Sequence, residues 1–273
     1  MKRIYLSALV CCLSAVAMAQ QKPDTLFYES FNAQTLDRAK WNVEVTGYTV
    51  NKEQQAYVDS ASVLFLKDGY LNIKPVYHPG YISTLQKPYD FLSGRINTRG
   101  KFEFTYGTAT ARIKMSAGAG LWPAFWALGE GKWPDCGEID MMENVGDSSW
   151  VSHALHGPGY FGNTPIVHRY YFPKGMDVTS WHIYSVKWTA DSIIFSVDGN
   201  ITYTTTKELI QTYGRWAYDN PKYIILNFAL GGAYPVGMNK ATTPYYGLPQ
   251  STVDKIKQGS AKMLVDWVLV TKE

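Results

Sequence analysis

Short β-prone segments separated by turn dipeptides recur along this chain, and they constrain its fold more than any other feature. Asp68-Gly69 and Asp198-Gly199 each lie between two such segments. Aspartate followed by glycine between β-prone runs is a strong signal for a hairpin. The four flanking runs are residues 62–66, 70–74, 192–197 and 201–205. The chain is therefore expected to fold back on itself repeatedly as antiparallel strands.

Longer stretches agree with this pattern. Residues 223–230 form a continuous apolar run, which predicts a strand buried on both faces. Residues 101–104 and 108–115 look like two strands around Tyr106-Gly107, and only residues 252–258 look helical. The sequence therefore predicts an all-β fold, an antiparallel β-sandwich of the jelly-roll or concanavalin-like type. Such a sandwich offers a concave face long enough to hold a polymer.

The N-terminus has the features of a secretory signal peptide. The basic pair Lys2-Arg3 precedes an apolar run over residues 4–16, and Ala17-Met18-Ala19 provides a small-x-small cleavage site. We expect residues 1–19 to be removed and residues 20–273 to form a single catalytic domain. The apolar run is too short to span a bilayer. We therefore expect a secreted protein, periplasmic or extracellular, without membrane attachment after cleavage.

Charge and cysteine content limit the partners. The formal net charge is +3, and loss of Lys2 and Arg3 lowers it to +1. A nearly neutral protein is not expected to bind nucleic acid or an anionic membrane surface. Of the three cysteines, only Cys136 follows the signal peptide, so no intramolecular disulfide is expected.

Aromatic residues are the compositional outlier. The chain has 20 Tyr, 11 Phe and 9 Trp, which together make up 15% of its residues. Aromatic side chains suit the pleated surfaces of a β-rich core. Their planes also pack against the apolar faces of sugar rings, so several tryptophans could line a sugar-binding cleft. Composition alone leaves both interpretations open.

Three carboxylates, Glu138, Asp140 and Glu143, lie within six residues among bulky apolar side chains. Strand periodicity puts Glu138 and Asp140 on one face and points Glu143 the other way. One residue bulged out near Met141 or Met142 would return Glu143 to the acidic face. The two glutamate backbones would then be roughly 13 Å apart. Their carboxyl groups could approach the ~5–5.5 Å separation of retaining glycoside hydrolysis. A solvated acidic face or a calcium-binding turn is the alternative.

Several competing chemistries lack their motifs. The sequence has no His-Glu-x-x-His zinc site, no Gly-x-Ser-x-Gly elbow and no P-loop. Gly118-Ala119-Gly120 is followed by Pro123, where a dinucleotide fingerprint needs glycine. The five histidines show no metal-ligand spacing. The carboxylate segment is therefore the candidate for catalysis.

Residues 133–146 resemble the signature of glycoside hydrolase family 16, in its laminarinase-type branch with a β-bulge. The resemblance extends over nearly the whole chain after the signal peptide. Its further motifs are residues 95–107, 120–126, 155–160 and 263–268. The family implies a β-jelly roll that cleaves internal β-glucan linkages with retention of configuration.

The resemblance also implies catalytic roles. Glu138 would be the nucleophile and Glu143 the general acid/base, with Asp140 between them assisting both. This agrees with the chemistry, because the nucleophile must be ionised and the acid protonated. Crowding three carboxyls raises the pKa of at least one, so the cluster can hold a proton near neutral pH.

Substrate-binding residues follow from the same resemblance. The glycone side of the cleft would be lined by Trp122, Trp126 and Trp133. Asn51 would reach a distal sugar. The basic residues Arg95 and His156 would bond sugar hydroxyls. A core position for Trp126 and a structural ion pair for Arg95 are the alternatives.

The resemblance implies no cofactor for catalysis, but many relatives bind one structural calcium ion on the convex face, through backbone oxygens and a late aspartate. The matching positions are Glu29, Gly69 and Asp266. The chain also departs from the family pattern. Asn144 stands where many relatives have an aromatic residue, and Ala233-Tyr234-Pro235 stands where a Trp-Pro is common. Both departures are expected to alter the sugar subsites.

These observations predict a secreted, monomeric, retaining endo-β-glucanase. Its substrate would be β-1,3-glucan (laminarin) or mixed-linkage β-1,3/1,4-glucan. One alternative is a galactan-active relative of the agarase or porphyranase type. Another is a β-glucan-binding sandwich without turnover, although such a protein would be expected to have lost one of the three carboxylates.

Overall fold

Strands dominate the computed structural model, which describes residues 24–47 and 50–272. The predicted signal peptide, residues 1–19, lies outside the described residues. The strands are β1 (Thr25–Glu29), β2 (Asn42–Val43), β3 (Gln55–Tyr57), β4 (Leu64–Lys67), β5 (Tyr70–Ile73), β6 (Val76–Ile82), β7 (Pro88–Ser93), β8 (Arg95–Asn97), β9 (Gly107–Met115), β10 (Leu121–Gly129), β11 (Glu138–Glu143), β12 (Trp150–His156), β13 (Val167–Tyr171), β14 (His182–Trp188), β15 (Ser192–Val197), β16 (Asn200–Thr206), β17 (Lys222–Leu230) and β18 (Met263–Thr271). The helices are α1 (Lys207–Gln211), α2 (Ala233–Asn239) and α3 (Gln250–Lys257).

Two large antiparallel sheets form the sandwich. One has the order β16-β15-β14-β9-β18-β5-β4, with β1 also paired to β18. The other has the order β13-β12-β11-β10-β17-β8-β2. A small third sheet, β3-β7-β6, contains a parallel pair, β3 with β7. The predicted antiparallel β-sandwich is confirmed.

The hairpins form where the turn dipeptides predict them. Lys67 pairs with Tyr70 across Asp68-Gly69, whose φ angles are 55° and 79°. Val197 pairs with Asn200 across Asp198-Gly199, whose φ angles are 51° and 79°. Two-residue hairpin loops favour positive φ at both positions, which glycine and aspartate tolerate better than most residues.

Burial follows the strand periodicity. Along β9, buried and half-buried residues alternate at all nine positions, so one face packs inside the sandwich. All nine residues of β17 are buried, as its continuous apolar run predicts. Fully buried residues from both sheets, including Ile113, Phe125, Leu155 and Phe195, belong to one core. No helix in residues 24–47 and 50–272 is long and apolar enough to cross a membrane.

Two predictions of local structure were incomplete or wrong. Residues 101–104 do not form a strand: residues 99–101 form a turn, in which Lys101 N and Phe102 N both donate to Thr98 O. Only Phe104 reaches the sheet, through an isolated bridge to Lys222. Helix α3 matches the predicted helical segment, whereas α1 and α2 were not predicted.

Candidate active site

A β-bulge in β11 brings the three carboxylates onto one face of the seven-stranded sheet. Glu138 lies opposite Leu128 and Asp140 opposite Trp126, but Glu143 lies opposite Ala124. Those three β10 residues alternate along one face, so β11 must contain one extra residue between Asp140 and Glu143. The register with β12 shifts at the same place. The bulge therefore lies where the odd spacing of Glu143 requires it.

The loop before β11 fixes where Glu138 enters the sheet. Gly137 has a φ of 72°, and a Cβ at this position would lie 2.1 Å from Ala217 O. Only glycine permits this approach. The fully buried Nζ of Lys222 donates to Cys136 O at 2.9 Å and to Ala217 O at 3.0 Å. These contacts tie the loop to the chain segment before β17.

Indole groups bond the two glutamates. Trp133 Nε1 donates to Glu138 Oε2 at 2.9 Å, and Trp122 Nε1 donates to Glu143 Oε1 at 2.8 Å. His156 Nε2 lies 3.2 Å from Asp140 Oδ2 and 3.8 Å from Glu138 Oε1. Each glutamate thus has a donor that stabilises its ionised form, while Asp140 lies against the imidazole.

Burial is the main cause of the raised pKa values of the three carboxyl groups. Loss of hydration raises the pKa of Glu138, Asp140 and Glu143 to about 8 each. For both glutamates, the charge of Asp140 raises the pKa further, while the indole bonds and His156 lower it. Three neighbouring carboxyls therefore cannot all be ionised at neutral pH. The site can hold a nucleophilic carboxylate and a protonated carboxyl at the same time.

The carboxylates open into a cleft of about 450 Å³. Asn51, Arg95, Trp122, Trp126 and Trp133 line it together with the three carboxylates. His156 is not among the lining residues and contacts the carboxylates from β12. Its position favours interaction with the acidic groups over contact with sugar hydroxyls.

Trp126 faces the cleft. It is half-buried on the same side of β10 as Trp122, and its Nε1 donates to Asn227 Oδ1 at 2.7 Å. A core position for Trp126 is therefore wrong. Trp133 is 43% exposed and contacts Phe161 edge to face at 5.4 Å between ring centroids. Exposed indole beside a carboxylate is suited to stacking on a sugar ring.

Arg95 combines both predicted interpretations. Its Nε lies 3.0 Å from Glu44 Oε2, which is the structural ion pair. Its guanidinium also lies 4.9 Å from the Trp126 ring centroid and borders the cleft. Asn51 lies elsewhere on the cleft wall, and its backbone carbonyl accepts from Ala233 N at 2.7 Å. This bond joins the Asn51 loop to the start of α2.

Tyr234, on α2, lies beside the acid/base end of the site. Its ring contacts Trp122 edge to face at 5.5 Å, and its hydroxyl lies 3.3 Å from Ser152 Oγ. Burial, followed by the charge of Glu143, raises the pKa of Tyr234. The Tyr234 departure from the family pattern therefore does reach the site.

Asn144 does not reach the cleft, so its expected effect on the sugar subsites was wrong. Its side chain is fully buried and donates to Asp147 O at 2.7 Å and Trp150 O at 2.6 Å. It also accepts from Gly146 N at 2.7 Å. Asn144 stabilises the loop between β11 and β12.

Sequence reasoning missed several cleft residues. Glu44, Glu53, Tyr57 and Asn227 all line the cleft. Glu53 and Tyr57 lie two and six residues after Asn51 in the sequence, and that proximity was an available signal. Asn227 lies within an otherwise apolar run, where a single amide is a weak signal before the pairing of β17 is known.

The predicted calcium positions meet at one edge of β18. Val265 pairs with Leu71 and Val268 pairs with Glu29, so the Gly69 turn and the end of β1 lie near Asp266. However, Arg112 Nη1 donates to Asp266 Oδ2.

The Glu29 carboxylate is also occupied. It accepts from Phe31 N, and Lys40 Nζ lies 3.5 Å away. The resemblance implies backbone oxygens as the ligands at Glu29 and Gly69, so the contacts of the Glu29 side chain do not test the predicted site. At Asp266, the bond from Arg112 occupies one carboxylate oxygen. Calcium binding stays a prediction from the resemblance alone. Among the described residues, only Glu138, Asp140 and His156 have the spacing of metal ligands.

Comparison with known proteins adds independent evidence. The family model described as glycosyl hydrolases family 16 matches residues 38–255. The glucan endo-1,3-beta-glucosidase A1 of Niallia circulans is 33% identical over 91% of this chain. The keratan-sulfate endo-1,4-beta-galactosidase of Sphingobacterium multivorum is 28% identical over 85% of it. The matches cover only 38% and 55% of those two relatives.

A solved structure is similar over nearly its whole length. The laminarinase catalytic domain from Thermotoga maritima MSB8 superposes with a TM-score of 0.80 at 32% identity. The match covers 92% of this chain and 98% of that domain.

Proposed function

Because this chain belongs to glycosyl hydrolases family 16, we propose that it is a retaining endo-β-glucanase. Its substrate would be β-1,3-glucan or mixed-linkage β-1,3/1,4-glucan. One observation carries the proposal: the bulge in β11 turns Glu143 into the cleft on the same face as Glu138 and Asp140. The names of a glucan endo-1,3-beta-glucosidase and a laminarinase among its relatives support the choice of substrate.

The first step forms a glycosyl-enzyme. The ionised Glu138 attacks the anomeric carbon, and a bond forms between that carbon and a Glu138 oxygen. The bond to the glycosidic oxygen breaks, and that oxygen receives the Glu143 proton. The leaving chain departs as a neutral alcohol. The indole bond from Trp133 keeps part of the negative charge of Glu138 stabilised before the attack.

The second step releases the product. The ionised Glu143 removes a proton from water, and the water oxygen attacks the anomeric carbon on the face that the leaving chain vacated. The bond to Glu138 breaks and the carboxylate is regenerated. Two inversions give net retention. Asp140 lies between the glutamates and favours protonation of its neighbours when it is ionised, so it helps to return the proton to Glu143.

A galactan-active enzyme is the second candidate. The similarity to a keratan-sulfate endo-1,4-beta-galactosidase favours it, and Tyr234 replaces the usual tryptophan beside Glu143. Galactose and glucose differ in the configuration of the C4 hydroxyl. The contacts to this hydroxyl at the catalytic centre therefore decide between the two candidates. Near-neutral charge supports an uncharged glucan over a sulfated polymer.

Release of reducing ends tests both candidates. We expect release from laminarin or barley mixed-linkage glucan, and none from agarose or keratan sulfate. Release only from the galactans would replace the glucanase proposal with the second candidate. Binding of laminarin without release from any polymer would contradict an enzymatic function.

We also propose that the protein is exported and acts as a monomer. The N-terminal pattern of residues 1–19 supports export. N-terminal sequencing of the protein recovered outside the cytoplasm should begin at Gln20. An uncleaved chain in the cytoplasm would contradict export, and a dimeric mass in solution would contradict the monomer.

A further inference from the structure

A single residue of β12 lies opposite the two bulged residues of β11. Ala154 pairs with Asp140 and Ser152 pairs with Glu143. His153, between them, is therefore opposite both Met141 and Met142. A bulge of this kind leaves main-chain groups outside the regular ladder, and such groups need another partner when they are buried.

His153 supplies that partner from inside the sandwich. Its side chain is fully buried, and its ring stacks on Phe195 of the other sheet at 4.9 Å between centroids. Nδ1 lies 2.8 Å from Met141 O, and Nε2 lies 2.9 Å from Thr202 Oγ1. The imidazole thus connects the bulge to β16 on the opposite sheet.

The partners fix the tautomer. A carbonyl oxygen can only accept, so Nδ1 must carry the hydrogen that bonds Met141 O. Nε2 then accepts from the Thr202 hydroxyl, whose other available acceptor, Phe195 O, lies farther away at 3.2 Å. Burial lowers the pKa of His153 to about 4, so the ring is neutral at the pH of most assays. The bond to the bulge is therefore not expected to change with pH near neutrality.

We propose that His153 is a positioning residue, which holds the Met141 carbonyl through Nδ1–H and thereby fixes the bulge. The bulge separates Glu143 from Glu138 and Asp140 along the strand, so its geometry sets where the acid/base lies relative to the nucleophile. A strand that lost the extra residue from its register would turn Glu143 to the opposite face. His153 itself does not line the cleft. The inference rests on the proposed glucanase function.

Two nearly isosteric substitutions test it. In His153→Asn, the side-chain amide nitrogen can take the place of Nδ1 and still donate to Met141 O. In His153→Gln, the amide reaches the position of Nε2 and cannot make that bond. We expect His153→Asn to keep kcat on laminarin within about tenfold of the wild type. We expect His153→Gln and His153→Ala to lose about 100-fold in kcat, the scale of a 1 Å misplacement, with KM changed less than threefold.

A leaving-group comparison separates positioning from general damage. Dinitrophenyl β-laminaribioside has a leaving group that departs with little help from an acid. The loss of kcat in His153→Gln should therefore be at least tenfold smaller on this substrate than on laminarin. Thr202→Val is the control, because it removes the Nε2 partner and leaves the Met141 bond. It should keep kcat within about threefold. Equal losses in His153→Asn and His153→Gln, or equal deficits on both substrates, would overturn the proposal.

Nitrogen-15 NMR of the wild type provides a readout that does not depend on activity. It should show a protonated Nδ1 and an unprotonated Nε2 for His153. The opposite tautomer would overturn the proposal even if the substituted proteins fail to fold. A wild-type protein without activity but with the expected tautomer would count against the glucanase function. In that case, the carboxyl titration of Glu143 should still shift in His153→Gln, and an unchanged titration would overturn the positioning role.

Discussion

Glu138 and Glu143 have similar surroundings although they are proposed to act differently. Each is largely buried, each accepts one indole N–H, and Asp140 raises the pKa of both. The two groups therefore have nearly the same static environment. The family resemblance assigns Glu138 as the nucleophile and Glu143 as the acid/base, and single substitutions test this assignment.

Replacement of the nucleophile should stop turnover and preserve binding. Glu138→Ser removes the attacking oxygen, and we expect kcat on laminarin to fall by at least about 10³-fold. Oligosaccharide affinity, measured by calorimetry, should change less than about tenfold. Glu130→Ser is the control, since Glu130 lies on the surface in an ion pair with Arg99. A Glu138→Ser enzyme with more than a trace of activity would show that another group is the nucleophile.

Loss of the Trp133 indole N–H should move the acidic limb of the pH profile. A bond to the ionised form lowers a carboxyl pKa, so Trp133→Phe should raise the pKa of Glu138. The acidic limb of kcat/KM should then shift upward by roughly half to one pH unit. Trp126→Phe is the matched control, because its indole bonds Asn227 and no carboxylate. A downward shift, or the same shift in both proteins, would disagree with the proposed contact.

At the scale of elements, the sequence was sufficient where local chemistry decides the structure. The two Asp-Gly turns formed the expected hairpins, and the offset of Glu143 correctly required a bulge in β11. Local signals failed where distant contacts decide. Residues 101–104 have strand-like composition, but Lys101 N and Phe102 N bond Thr98 O and so belong to a turn. Helix α2 is only seven residues long, and it contacts the site because Ala233 bonds the Asn51 loop.

Deletion of Met141 should convert β11 into a regular strand. Glu143 would then point toward the core, where a carboxylate lacks hydration. We expect activity to fall by at least about 10³-fold and the melting temperature to decrease. Met141→Leu keeps the residue count and a similar volume, so it should retain activity within about threefold and lose less than about 1.5 kcal/mol of stability. An active deletion protein would show that catalysis does not require the bulge.

At the scale of the whole molecule, the active site costs stability. The sandwich buries three carboxyls whose pKa values rise to about 8. Between their ordinary pKa near 4 and about 8, the folded protein binds more protons than the unfolded chain. The free energy of unfolding therefore falls as pH rises through this window. The rest of the core must offset this cost, because the described residues contain a single cysteine, Cys136, and so form no disulfide among themselves.

Asp140→Asn should relieve part of that cost. Asp140 is 3% exposed and has the neutral form favoured by burial. We expect the free energy of unfolding to rise by on the order of 1–3 kcal/mol at pH 7–8 and not to rise near pH 4. Asp59→Asn is the control, because Asp59 lies in an exposed pair with Arg38 and should change stability by less than about 1 kcal/mol at either pH. Denaturant unfolding at the two pH values measures the difference. A loss of stability at pH 7–8 that is absent at pH 4 would contradict the burial argument.

The stereochemistry of the first product tests the central claim most directly. A carboxylate nucleophile and a carboxyl acid, brought to one face by the β11 bulge, should act by double displacement. Proton NMR during the first minutes of laminarin hydrolysis should show the β-anomer of the new reducing end before mutarotation produces the α-anomer. Initial formation of the α-anomer would mean inversion, and it would contradict the proposed roles of Glu138 and Glu143.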